Sequence, residues 1–81
     1  MNKKEILEEL RYKLHADYSD QWHALLHGDT ERREAKKAAI QATKEFAAQL
    51  LGNKYWHKIE SLSDSVQYEA AQEQSNQYTG V

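Results

Sequence analysis

Apolar residues recur along this chain at the three- and four-residue spacing of one face of an α-helix, and glycines at positions 28, 52 and 80 punctuate the pattern. Leu7, Leu14, Tyr18 and Leu25 form the first stripe, with Leu10 and Trp22 on its margins. The opposite side carries Glu5, Glu9, Lys13 and Asp20, and Glu9 precedes Lys13 by four residues, the favourable order for an ion pair along a helix. This predicts an amphipathic helix over residues 3–27. Gly28 ends it, and Asp29-Thr30 offers the cap of a second helix whose first turn holds Glu31 and Glu34.

The second helix is predicted over 30–51, with Ala35, Ala39, Ala42, Phe46 and Leu50 as its core face. The alanines there permit close approach of a neighbour. Beyond Gly52 a new series, Tyr55, Ile59, Leu62, Val66 and Ala70, runs out of phase with the preceding face, which places a turn at Gly52 and a third helix over 54–72. Lys54, His57 and Lys58 would then crowd the positive end of that helix. They would sit better if the second helix ran on to about residue 60 and the chain restarted at a Ser61–Asp64 cap; the phase jump favours the break. From Gln72 onward the periodicity lapses, so residues 1–72 are expected to form the domain and 73–81 a flexible polar tail.

Composition supports an all-α class, since the chain has no proline, two valines, and an abundance of Leu, Ala, Glu, Lys and Gln. It also exposes a shortage. Leu, Ile, Val and Phe account for only 14 of 81 residues, and no cysteine is present to staple a small fold with disulfides or thiolate-bound zinc. Pairing of two copies is the expected remedy. The absence of cysteine suits a cytoplasmic setting, and no apolar run suggests a membrane partner. With 11 basic against 13 acidic residues, the net charge of −2 argues against a general polyanion binder.

Three groups of residues suggest chemistry. The first is an interaction surface. Arg33, Lys37 and Lys44 form a basic stripe on the second helix, with Ile40 and Leu51 within it, and Trp22, Leu26 and Trp56 stand at the edges of their helices' apolar stripes, where aromatic anchors of interfaces are found. The like-charge pairs Arg32–Lys36 and Arg33–Lys37 at four-residue spacing invite a partner's acids. The second group lies in 44–62, which resembles a helix-turn-helix DNA reader with Asn53, Lys54, His57 and Lys58 as its donors. It departs from that pattern at polar Asn53 and in the late position of Ile59. The third group is Asp20, His23 and His27, which share one side of the first helix at metal-ligand spacing but lack an acid between the histidines.

Glycine-rich phosphate loops, cysteine nucleophiles and the repeated acid motifs of helical metal enzymes are missing, and Ser61, Ser63 and Ser65 read as capping residues. The expectation is therefore a non-catalytic helical regulator, adaptor or inhibitor, without cofactor. It would bind another protein through Trp22, Leu26, Arg33, Lys37, Ile40, Lys44 and Trp56. DNA binding and metal binding are the alternatives.

Overall fold

The computed structural model describes residues 2–79, and side chains through Asn76. Three helices account for nearly all of it: α1 (Lys3–Leu26), α2 (Thr30–Leu51) and α3 (Trp56–Thr79), with a single 3₁₀ turn at Asn53–Tyr55 between the last two. Local chemistry sets the boundaries. The Asn2 side chain accepts a hydrogen bond from the Glu5 amide at 2.9 Å, capping α1. At the other end the Asp29 amide donates to the Ala24 carbonyl at 2.8 Å and the Gly28 amide to Leu25 at 3.2 Å, a Schellman closure with Gly28 at φ 72°. Asp29 then turns its carboxylate to the Arg32 amide at 3.0 Å, so the residue that closes one helix caps the next.

Gly52 breaks the chain as expected, with φ 99° and ψ 152°, and its amide donates to the Ala48 carbonyl at 2.8 Å. The Ser61–Asp64 segment is continuous helix rather than a cap. At its far end α3 runs on to Thr79 instead of stopping at 72, with Ala70 and Gln74 buried. Of the tail expected over 73–81, residues 80–81 lie outside the described residues.

α1 is the central helix. It runs parallel to α3, as shown by Lys3 over the Tyr55 ring at one end and by Arg11 paired with Glu69, and His15 with Glu73, farther along. It runs antiparallel to α2, with Ile6 beside Leu50 and Lys36 reaching back to Asp17 and Asp20. Between α2 and α3 the packing is much sparser. The result is a slab of 40 × 27 × 19 Å with a radius of gyration of 13.5 Å, above the roughly 12 Å usual for this length.

Two neighbours require two faces on α1. Ile6, Leu10 and Asp17 turn toward α2, while Leu7 and Tyr18 turn toward α3. Tyr12, Leu25 and Leu26 nevertheless remain exposed on α1. Of the stripe expected there, Leu14 and Tyr18 are buried and Leu7 half-buried, whereas Leu25 is exposed. The core unites Leu10, Leu14 and Tyr18 with Ile40, Ala47, Ala48, Leu51, Ile59, Val66 and Ala70, flanked by half-buried Ile6, Leu7, Trp22, Tyr55, Trp56 and Leu62.

On α2 the expected core face is corrected. Ile40, Ala47, Ala48 and Leu51 are buried, but Ala35, Ala42, Phe46 and Leu50 are exposed and Ala39 only half-buried. The buried side lies roughly 130° around the helix from the expected one. Ion pairs accompany the rotation: Lys36 meets Asp17 and Asp20 of α1, and Lys44 meets Glu60 of α3 at 3.3 Å, all on the side of Ile40. Turned the other way, α2 would take Lys36 from Asp17 and Asp20 and Lys44 from Glu60, leaving Asp17 with Lys13 of its own helix.

Candidate functional site

Because α1 holds α2 and α3 apart, a cleft opens between them. Ile40 and Tyr18 help form its base, Arg33, Lys37 and Lys44 line the α2 wall, and Gln67 faces them from α3, around a volume of about 570 Å³. A smaller hollow of about 250 Å³ adjoins it, bounded by Trp22 and Leu25 and sharing Gln21, Arg33 and Gln67 with the main cleft. Of the residues expected to form an interaction surface, Arg33, Lys37, Ile40 and Lys44 converge here and Trp22 borders the adjoining hollow.

Their environments differ in ways that sequence spacing cannot reveal. Lys44 is 12% exposed, its ammonium held by both oxygens of Glu60 and lying 5.9 Å from the centre of the Trp56 ring. Trp56 is thus a half-buried support for Lys44 rather than a free anchor. Ile40 is buried in the core. Arg33 and Lys37 are exposed and make no ion pair among the described residues, although Glu34 shares the cleft. Leu26, at 40% exposure, ends α1 outside the cleft lining.

Asp20, His23 and His27 line one open hollow of about 390 Å³ with Asp29 and Arg32, but they do not gather at metal-ligand distances. Asp20 is drawn to Lys36 at 3.1 Å, and His23 and His27 are exposed with near-parallel rings 6.3 Å apart. Among the described residues the set that gathers as potential metal ligands is instead His15, Glu69 and Glu73, with ligand atoms within 4.8 Å of one another. Sequence reading missed it because its halves lie on different helices; the local signal was only the four-residue spacing of Arg11–His15 and Glu69–Glu73. Its members are engaged already, Arg11 with Glu69 at 2.7 Å and His15 with Glu73 at 2.9 Å, and this partly exposed ladder clamps α1 to α3.

Asn53, Lys54, His57 and Lys58 are exposed around the Gly52 turn, with the Lys54 ammonium 5.9 Å from the centre of the Tyr55 ring. The flanking helices do not cross widely as in a helix-turn-helix reader, for Arg33 and Gln67, both distant from the turn, still share one cleft. Ser63 lies within α3, buried and bonded to Tyr18.

A separate apolar groove of about 490 Å³ lies between α1 and α2 near the Gly52 end. Tyr12, Phe46 and Leu50 stand along it at 80%, 61% and 54% exposure, with Ile6, Leu10 and Ala47 beneath and Glu9, Lys13 and Thr43 at its edges. Sequence reading placed Phe46 and Leu50 in the core and so missed this surface.

No helix among the described residues is long and apolar enough to cross a membrane. No protein-family model, curated protein or solved structure matches this chain.

Proposed function

We propose that this chain is a non-catalytic protein-binding module that receives an acidic amphipathic segment of another protein in the cleft between α2 and α3. The observation that supports this reading is the pair of exposed cations, Arg33 and Lys37, standing at the wall of an open cleft with apolar and amide groups beneath them. Such a cleft offers both elements of recognition. Half-buried Trp22 and exposed Leu25 in the adjoining hollow supply apolar contact, and the cations select acids and orient them. Lys44, already neutralised by Glu60, shapes the wall more than it attracts. The working unit in this reading is a pair of chains, each presenting one cleft.

The test is affinity capture of the partner from the native host, followed by charge reversal. Arg33→Glu with Lys37→Glu is expected to abolish binding, and Lys54→Glu with Lys58→Glu to leave it intact. Capture that survives the first pair of changes defeats the reading. A bound nucleic acid lost with Lys54 and Lys58 would support the DNA-binding alternative instead.

A further inference from the structure

The outward face of α2 is covered by no other helix among the described residues, although its sequence has the character of a packed one. Ala35, Ala39, Ala42, Phe46 and Leu50 follow one another at helical spacing, and all but half-buried Ala39 are exposed. Beside this stripe, across the apolar groove, stands Tyr12 of α1. Exposed large apolar groups contiguous across two helices mark an association surface more often than chance scatter does.

We infer that the occupant of this face is a second copy of the same chain, related by a two-fold axis passing close to Phe46. Three observations point to self-association rather than to a foreign partner. The first is charge: the groove is edged by one acid and one base, Glu9 and Lys13, one helical turn apart on α1. A two-fold axis near Phe46 reverses the order of the facing α1, so that each Glu9 meets the other copy's Lys13. Neither sign prevails, in contrast with the basic cleft. Glu9 has no ion pair among the described residues, and Lys13 lies a loose 3.8 Å from Asp17.

The second observation is shape. In the antiparallel pairing that this axis imposes, residues equidistant from Phe46 on either side face each other across the α2 helices. Leu50 therefore comes over the other copy's Ala42, a large side chain onto a small one, while the two Phe46 rings meet at the centre. The third is need. Alanines make up Ala47, Ala48 and Ala70 of the ten-residue core cluster, and no disulfide supplements it.

The pairing deepens the dimer part of the proposed function and is independent of the cleft. Sedimentation equilibrium on the full chain is expected to show a dimer in the micromolar range. Phe46→Asp is expected to raise the dimer dissociation constant by at least roughly tenfold while leaving the helical circular-dichroism signal unchanged. Ala42→Gln, a substitution well tolerated in an exposed helix, is expected to do the same by filling the seat of Leu50. The discriminating experiment uses the rim. Glu9→Lys and Lys13→Glu should each weaken self-association, and the two variants mixed in equal amounts should form a heterodimer tighter than either homodimer. A wild-type chain that stays monomeric throughout the micromolar range overturns the inference, as does a mixture no tighter than its components. Capture of the cleft partner by Phe46→Asp would persist in either case, which keeps the two proposals separable.

Discussion

The hydroxyls of Tyr18 and Ser63 lie 2.6 Å apart inside the protein and join α1 to α3. Ser63 is 1% exposed and Tyr18 6%, so neither has ready recourse to water if its partner is removed. A helical serine can fall back on a carbonyl one turn earlier, whereas the tyrosine hydroxyl has no such local option. Tyr18→Phe is therefore expected to cost about 1 kcal/mol, Ser63→Ala about 1–2 kcal/mol, and the double variant no more than the costlier single one. Urea unfolding of the four proteins measures this cycle; simple additivity would show that the bond contributes nothing.

Asp17 illustrates a different balance. It is 4% exposed, with Lys36 at 3.7 Å and Lys13 at 3.8 Å, both beyond good hydrogen-bond length, and its Oδ2 has no hydrogen-bond partner. Removing a cation leaves the buried carboxylate less compensated, while removing the carboxylate relieves its desolvation. Lys36→Met is expected to destabilise by about 1–2 kcal/mol and Asp17→Leu to be neutral or stabilising by about 1 kcal/mol. Denaturant midpoints in the reverse order would mean that Asp17 is a net stabilising group.

The two turn glycines separate backbone strain from crowding, because a Cβ at either would meet nothing within 4 Å. Gly28, at φ 72°, occupies the left-handed helical region, which asparagine also visits. Gly52, at φ 99° and ψ 152°, occupies a region essentially reserved for glycine. Gly28→Ala is expected to cost about 1 kcal/mol, with Gly28→Asn milder, and Gly52→Ala about 2–3 kcal/mol. Thermal unfolding that ranks Gly28→Ala as the worse substitution would contradict this assignment.

The ladder of Arg11 with Glu69 and His15 with Glu73 is expected to matter little to stability. Its side chains are 38–49% exposed, and ion pairs in water are weak. Arg11→Ala and Glu73→Gln should each change the unfolding free energy by less than about 1 kcal/mol, with the loss shrinking further in high salt. A larger effect in urea unfolding would reveal a tighter α1–α3 clamp than these exposures imply.

Where the helices begin and end was mostly legible because those signals are local. Gly28, Asp29 and Gly52 act on backbone groups within a few residues, so their positions predict the caps and breaks; the Asn2 cap of α1 is equally local but was not read from the sequence. The end of α3 was not legible. Past Gln72 the sequence offers no apolar periodicity, yet Gln74 occupies a buried position in the series that Ile59, Val66 and Ala70 begin. No pattern of hydropathy signals a polar residue at that buried position.

The candidate site was legible in composition and illegible in orientation. Arg33, Lys37, Ile40 and Lys44 share one helix face by spacing alone, but spacing within α2 does not say which face meets the core; the buried face is the one flanked by the lysines that meet Asp17, Asp20 and Glu60. α2 carries two apolar stripes, and its ion pairs with α1 and α3 fall on the buried one. By itself, then, the amino-acid order determined an all-helical chain with turns at Gly28 and Gly52, since capping, turn conformation and helix propensity are properties of neighbouring residues. Only the tertiary structure decided that α1 is central, that the Ile40 side of α2 faces inward and that Phe46 faces out. Those choices rest on ion pairs and packing between residues far apart in the chain, which no periodicity within one helix encodes.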